Sequence, residues 1–334
     1  MPRIAFISVA AAAALACSRD ATAPTAVVTQ VAMVASAHDD DKHSGKVGVD
    51  FERFTVGGID GQFDWKSLGG TGAPPPANPG DTHCAVYDHV IADVSGSVAP
   101  KSFDERALRI SNAVTTGCYG DQTFSSRSKD YAGQAGATPM HKNGLVNYSL
   151  PGGQLENHFE AEWTFASAVP DAQQPGLEVV VSPGRGDDHR MSWVIMTDLA
   201  DGIAVIFAER SNPTDPGAIT QTTVKRRLDR RKSHTIKLTM DFVDGPSNDV
   251  VRVSVDGELE HTGTSWETYY ALDANGKANF SGNPPAVNRL MFRTGSDTHR
   301  GIPGTPAPAT LGKGFYFDDV SVSVKNAKLE KNRD

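Results

Sequence analysis

Strand signals recur between residues 47 and 324, and the clearest of them alternate apolar and polar side chains with a period of two. His234 to Phe242 sets Ile236, Leu238, Met240 and Phe242 against Thr235, Lys237, Thr239 and Asp241. Val250 to Val255 sets Val251, Val253 and Val255 against Arg252 and Ser254. His158 to Phe165 puts Phe159, Ala161, Trp163 and Phe165 toward a core and His158, Glu160, Glu162 and Thr164 away from it. Further β-prone runs lie at 176–182, 190–198, 203–208, 288–293 and 314–324. Asp-Gly turns at Asp201-Gly202, Asp244-Gly245 and Asp256-Gly257 punctuate them, and the last reads as a hairpin turn. A weak helical period appears only around Trp266 to Leu272. Many short strands with regular turns predict an all-β fold, a two-sheet antiparallel β-sandwich of the jelly-roll type.

The 334 residues fit one large β domain, and 32 Gly and 20 Pro suit a turn-rich fold. The expected organisation is a signal peptide over 1–16, a flexible tether over 17–46, the sandwich over 47–324 and a charged tail over 325–334. Gly69 to Gly80 and Gly301 to Ala309 read as long surface loops. The formal net charge of −8 argues against nucleic acid as a partner, because phosphate binding needs clustered cations.

The N-terminus carries Arg3, then an apolar stretch from Ile4 to Leu15 broken by Ser8, then Ala14-Leu15-Ala16-Cys17. That is the layout of an export signal, too short for a permanent transmembrane helix. Two processing routes fit it. Cys17 is lipidated and becomes the new N-terminus, or an ordinary signal peptidase cuts after Ala16 and releases a secreted domain. The lipid would anchor the protein to a membrane in the cell envelope. Of three Cys, this leaves Cys84 and Cys118, a disulfide pair in an oxidising compartment or two free thiols. A bond between them would close a loop of about 34 residues, worth on the order of 3–4 kcal/mol.

The run Asn248-Asp249-Val250-Val251-Arg252-Val253-Ser254-Val255-Asp256-Gly257, with His261 to Tyr270 after it, resembles a segment of exported bacterial proteins of unknown function. Gly314-Phe315-Tyr316-Phe317-Asp318-Asp319-Val320-Ser321-Val322 is similar to the last strand of concanavalin A-like (laminin-G-like) jelly rolls, as is Ala107 to Asn112 with Trp65 before it. The resemblance implies that fold. It leaves function open, since the superfamily holds lectins, carbohydrate-binding modules, glycoside hydrolases and polysaccharide lyases.

Candidate chemistry follows from side-chain type. Glu160 and Glu162, at i and i+2 on a strand, share a face roughly 6.5–7 Å apart, a separation two glycosidase carboxylates could use. The segment lacks the Glu-x-Asp-x-x-Glu pattern of laminarinase-type hydrolases. A lyase base could come from His189, His234, Tyr269 or Tyr270, with Arg190 nearby. Trp266, Tyr269 and Tyr270 with Glu267, and separately Trp65, are the aromatic candidates for stacking on sugar. They are also readable as core. Oxygen-rich pairs at Asp187-Asp188, Asp244 with Asn248-Asp249, and Asp318-Asp319 could hold calcium or simply serve turns. The basic run Lys225 to Lys232 reads as a solvated loop or as a patch for an anionic polymer. The function expected is recognition of a carbohydrate or cell-surface component without catalysis. A polysaccharide-degrading enzyme using Glu160 and Glu162 is the alternative, and a structural envelope protein the second. Intact-mass measurement is expected to find Cys17 at the mature N-terminus carrying diacylglycerol and acyl groups. An unmodified Cys17 would make the protein a freely secreted domain.

Overall fold

The computed structural model describes residues 46–68, 88–96, 99–113, 122–137, 153–185, 190–215, 217–245, 247–272, 285–294 and 312–329. The signal and tether up to 45, Cys17, Cys84, Cys118, Asp187-Asp188 and His189 lie outside these residues.

Two antiparallel sheets face each other, as the alternating pattern predicts. The larger has nine strands. Across it run β16 (Glu258–Gly263), β15 (Val250–Val255), β14 (His234–Asp241), β9 (His158–Ser167), β18 (Phe315–Lys325), β5 (Arg106–Ile110), β4 (His89–Asp93) and β2 (Gly57–Gly58). The ninth, β1 (Val47–Val49), pairs with β18 through Val322, Ser321 and Val320. The smaller sheet has seven strands, β13 (Thr220–Leu228), β12 (Gly202–Glu209), β11 (Trp193–Leu199), β10 (Glu178–Gly184), β17 (Arg289–Thr294), β6 (Gln122–Phe124) and β3 (Lys66–Leu68). A short parallel pair, β7 (Tyr131–Ala132) and β8 (Leu155–Glu156), stands apart from both. The one helix among the described residues, α1 (Glu267–Leu272), falls where the weak helical period lies.

The core forms where the inward rows of the two sheets meet. Phe159, Trp163 and Phe165 from β9, Leu238 and Met240 from β14, and Val251 and Val253 from β15 pack against Val181, Val194, Met196, Val205, Phe207 and Phe292. Trp65 joins this core, with its ring centroid 5.2 Å from Phe51 and 5.7 Å from Phe292. Its full burial is what makes it a packing residue. His89 spans the two sheets, its ring nitrogens 2.9 Å from Thr123 Oγ1 and 3.1 Å from Thr294 Oγ1. Burial pushes its pKa down to about 3, so it bonds as the neutral imidazole.

Two expectations change. The basic run is part of an edge strand, because β13 continues to Leu228. Its cations meet acids: Lys225 bridges to Glu258 and Glu260 on β16, Arg226 and Arg227 reach Asp201, Arg230 reaches Asp198, and Arg231 reaches Asp171. Charge is thus cancelled locally, and the edge is guarded against further strand pairing. The expected tail also begins later, since Asn157 exchanges hydrogen bonds of 2.8 and 3.0 Å with the Ala327 backbone.

Gly314 sets the entry to β18. Its φ is +108°, and a Cβ there would lie 2.0 Å from the Ile110 carbonyl oxygen. Its N–H donates to Gln174 Oε1 at 2.6 Å and its carbonyl accepts from Gln174 Nε2 at 2.9 Å. Gly314→Ala must therefore strain the backbone and part β18 from β5. The expected loss is about 3 kcal/mol or more, read as a lower midpoint in denaturant unfolding.

Candidate functional site

The outer faces of the two sheets differ in kind. On the larger sheet the outward row reads His158, Glu160, Glu162, Thr235, Lys237, Thr239, Asp241, Arg252, Ser321 and Lys325, all at least partly exposed. Glu160 lies 3.0 Å from Lys237 Nζ, 3.8 Å from Lys325 Nζ and 3.9 Å from His158 Nε2. Asp241 joins His158 at 2.6 Å and Arg252 at 2.6 Å. The hydrogen bond from His158, with Lys237 and Lys325 beside it, holds Glu160 down at about 2. A glycosidase acid must keep its proton near neutral pH. Held ionised by these cations, Glu160 suits the ionised member of such a pair and not its acid.

The smaller sheet is apolar outside as well as inside. Val180, Ile195 and Ala208 form a buried cluster of their own, with Trp193 and Ile206 packed on it. They alternate with the core residues Val179, Val181, Val194, Met196, Val205 and Phe207. On β17, Arg289, Met291 and Arg293 alternate with the core residues Leu290 and Phe292. Register sets Arg289 beside Gly184, Met291 beside Ser182 and Phe124, and Arg293 beside Val180 and Gln122. Arg185 follows β10, and a backbone bridge from Gly184 brings in Arg190. Arg185 and Arg190 are 6% exposed and Arg289 is fully buried.

One phenol feels the charge of three cations. Burial raises the pKa of Tyr131, while Arg127, Arg289 and Arg185 pull it down. Tyr131 packs on Ala137 and Ala286, apart from the main core. Asp64 Oδ2 accepts from Arg289 Nη2 at 3.2 Å and lies 3.4 Å from Arg127 Nε. That carboxylate sits in a turn where Phe63 and Asp64 both have positive φ, +45° and +64°. Two consecutive left-handed non-glycine residues cost roughly 1–2 kcal/mol each, a strain typical of functional turns. The same turn leaves the Phe63 ring exposed beside Asp64.

The residues singled out from sequence divide. Trp266, Glu267 and Tyr270 are buried, as Trp65 is, so burial removes these four from any stacking surface. The Tyr270 hydroxyl donates to the Arg190 carbonyl at 2.8 Å and accepts from its N–H at 3.2 Å. Only Tyr269 of that group is partly exposed. His234, 5% exposed, is bound to Asp256 Oδ2 and the Asp229 carbonyl. Sequence reasoning missed Arg127, Arg185, Arg289, Arg293 and Tyr131. The signal available was the pair of arginines in Arg289-Leu-Met-Phe-Arg293, alternating with core residues on a strand.

The calcium candidates among the described residues bond to neighbouring groups of the chain. Asp244 Oδ1 accepts from the Ala135 N–H at 2.7 Å. Burial pushes Asp318 up to about 8, with Asp319, Glu52 and Asp50 adding to it. Among the described residues no group of three or more His, Cys, Asp or Glu is arranged to hold a metal ion.

No family model matches the chain, and no curated protein matches it in sequence. Its fold is similar to several solved structures at low identity. An alginate lyase from Pseudomonas aeruginosa matches at 11% identity and a TM-score of 0.33, over 51% of this chain and 66% of that one, just under two thirds of its length. An endo-β-1,4-glucuronan lyase from the fungus Trichoderma reesei matches at 12% and 0.42, over 84% and 95%. A glycoside hydrolase family 16 endo-glucanase from Bacteroides ovatus matches at 12% and 0.40, over 83% and 98%.

A buried carboxyl pair fixes α1 beside this face. Gln134 Nε2 donates to Asp249 Oδ1 at 2.9 Å and Glu267 Oε2 at 2.6 Å, and Ser265 Oγ donates to Asp249 Oδ2 at 2.5 Å. Burial, then Glu267, raises Asp249 from 3.8 to about 7. A carboxyl raised in the folded state binds its proton more tightly there. Its contribution is complete below about pH 4 and is lost as pH rises toward 7. Asp249→Asn, which cannot ionise, is expected to gain stability relative to the parent across that window. Paired denaturant titrations at pH 4 and pH 8 check this, and a difference independent of pH would refute it.

Proposed function

We propose that this protein recognises an acidic glycan laid across the outer face of the seven-stranded sheet. The observation that carries the reading is the gathering of Arg185, Arg190 and Arg289 through Gly184, beside an apolar strip, on a face that an ordinary sandwich leaves polar. Guanidinium groups present planar forks that match carboxylates. Trp193 and Ile206, partly exposed on top of that strip, suit the C–H faces of pyranose rings. Strands lie about 4.8 Å apart, close to the length of one sugar in an extended chain. A polymer running across the strands would therefore meet a new strand with each residue. The exported, lipid-anchored placement read from Cys17 belongs to the same proposal: the tether would hold this face off a membrane surface, where extracellular polymers are met.

Tyr131 favours a second reading, β-elimination. An arginine would neutralise the uronate carboxylate, and Tyr131 as phenolate would take the proton from the adjacent ring carbon. The glycosidic C–O bond would then break, leaving an unsaturated sugar, with the proton passed to the departing oxygen. Burial outweighs the arginines at Tyr131, however, and keeps its proton on. Recognition without chemistry is thus the first reading.

In binding titrations, polyuronates are expected to bind and neutral glucans not to, with affinity falling as salt rises. Arg293→Gln is expected to weaken polyuronate binding about tenfold. Equal binding of neutral and acidic polymers would overturn the proposal. Unsaturated ends appearing in the mixture would move the protein to the second reading.

A further inference from the structure

Arg210 follows β12 directly and is held in a corner of two aromatic rings. Its guanidinium carbon lies 4.4 Å from the Trp266 ring centroid and 4.0 Å from that of Tyr269. The two rings stand at 77° to each other, and Trp193 meets Trp266 at 4.9 Å. The corner is rigid. Trp266 donates from Nε1 to the Ala208 carbonyl at 3.2 Å, and its N–H donates to the Met191 carbonyl at 2.8 Å. The Asp249–Gln134–Glu267 group fixes the helix that carries Tyr269.

Many cations among the described residues meet an acid, and Arg210 does not. Among the described residues no carboxylate lies within 4.0 Å of it. The adjacent Glu209 is engaged elsewhere, accepting from the Thr264 N–H at 2.8 Å and from Ser211 Oγ at 3.1 Å. Arg210 Nε and Trp193 Nε1 are buried donors with no acceptor among the described residues. A buried donor left unsatisfied is costly, and an incoming acceptor would recover that cost. A guanidinium stacked on two rings keeps its N–H edge for a bidentate acceptor.

We propose that Arg210, in the corner of Trp266 and Tyr269 and beside Trp193, forms a second subsite that binds the carboxylate of an acidic sugar at one end of the bound glycan. This rests on the acidic-glycan reading of the face and adds to it a position and a minimum length. Register runs from Arg293 through Val180 and Ile195 to Ile206, so Arg210 lies three strand spacings across, about 14 Å, and four residues farther along the chain from that row. A glycan touching both Arg293 and Arg210 must therefore be several sugars long, and a dimer cannot span them.

The test is calorimetry with oligoglucuronates and oligogalacturonates of two and six residues, sulfated cello-hexaose and neutral cello-hexaose. Wild-type protein is expected to bind an acidic hexamer at least tenfold more tightly than the dimer. Arg210→Gln is expected to lose that gain, and Arg210→Lys, which keeps the charge without the stacked fork, to lose part of it. Both variants are first checked for an unchanged thermal midpoint. If Arg210→Gln alone fails that check, Arg210→Lys decides the question. A hexamer that binds wild type and the folded variants equally overturns the Arg210 assignment alone. Arg210-dependent binding of the sulfated hexamer with no uronate binding overturns the carboxylate. An acidic hexamer that fails to bind wild type overturns the reading of the whole face.

Discussion

A guanidinium taken out of water needs hydrogen bonds or a countercharge, and much of this molecule is arranged around that requirement. Arg185, Arg190 and Arg289 are buried on the far side of a sheet whose near side already closes the core. An outward position on a sandwich strand ordinarily keeps its polar groups wet. Here Val180, Ile195 and Ala208 make the outward row dry, and the arginines stand at its border. A dry border strengthens every charge interaction made there. The strained turn at Phe63 and Asp64 fits this setting, because it delivers a carboxylate to Arg289 and Arg127.

The nine-stranded sheet shows what an ordinary outer face looks like in the same molecule. Its Glu160, Lys237, Asp241, Arg252 and Lys325 are partly exposed and mutually paired. Exposed pairs of this kind contribute little stability, typically below about 1 kcal/mol each. They keep the face soluble and unattractive to other strands. The contrast between the faces locates the candidate site more firmly than any motif, because both faces belong to one fold and one solvent.

Much of the fold was legible in the sequence, and the site was not, for a physical reason. Period-two alternation at His158 to Phe165, His234 to Phe242 and Val250 to Val255 states directly which side chains go inward, and each became a strand with that polarity. The same logic directed attention to Glu160 and Glu162, since acids are conspicuous on an alternating strand. On β10 to β12 both faces are apolar, so no alternation marks the outward row. The arginines lie far apart in sequence, at 127, 185, 190 and 289, and only pairing through Gly184 gathers three of them. Trp266 and Tyr270 misled for the opposite reason. Aromatic residues in a polar segment resemble a binding loop, yet α1 turns them into the core and spends the Tyr270 hydroxyl on Arg190.

On the proposed acidic-glycan reading, the balance at Tyr131 would decide between holding a glycan and cutting it. A phenol needs its proton removed to act as a base, and nearby cations favour that removal. Three arginines act on it, yet burial wins and the pKa rises. An acidic polymer entering the face would bring its own negative charge toward the phenol. That charge would oppose the arginines and raise the phenol further. The more completely the arginines engage the ligand's carboxylates, the less of their field is left for Tyr131. The same groups that would make binding strong would thus leave the phenol protonated, and a protonated phenol can donate a hydrogen bond to a sugar oxygen without breaking the chain.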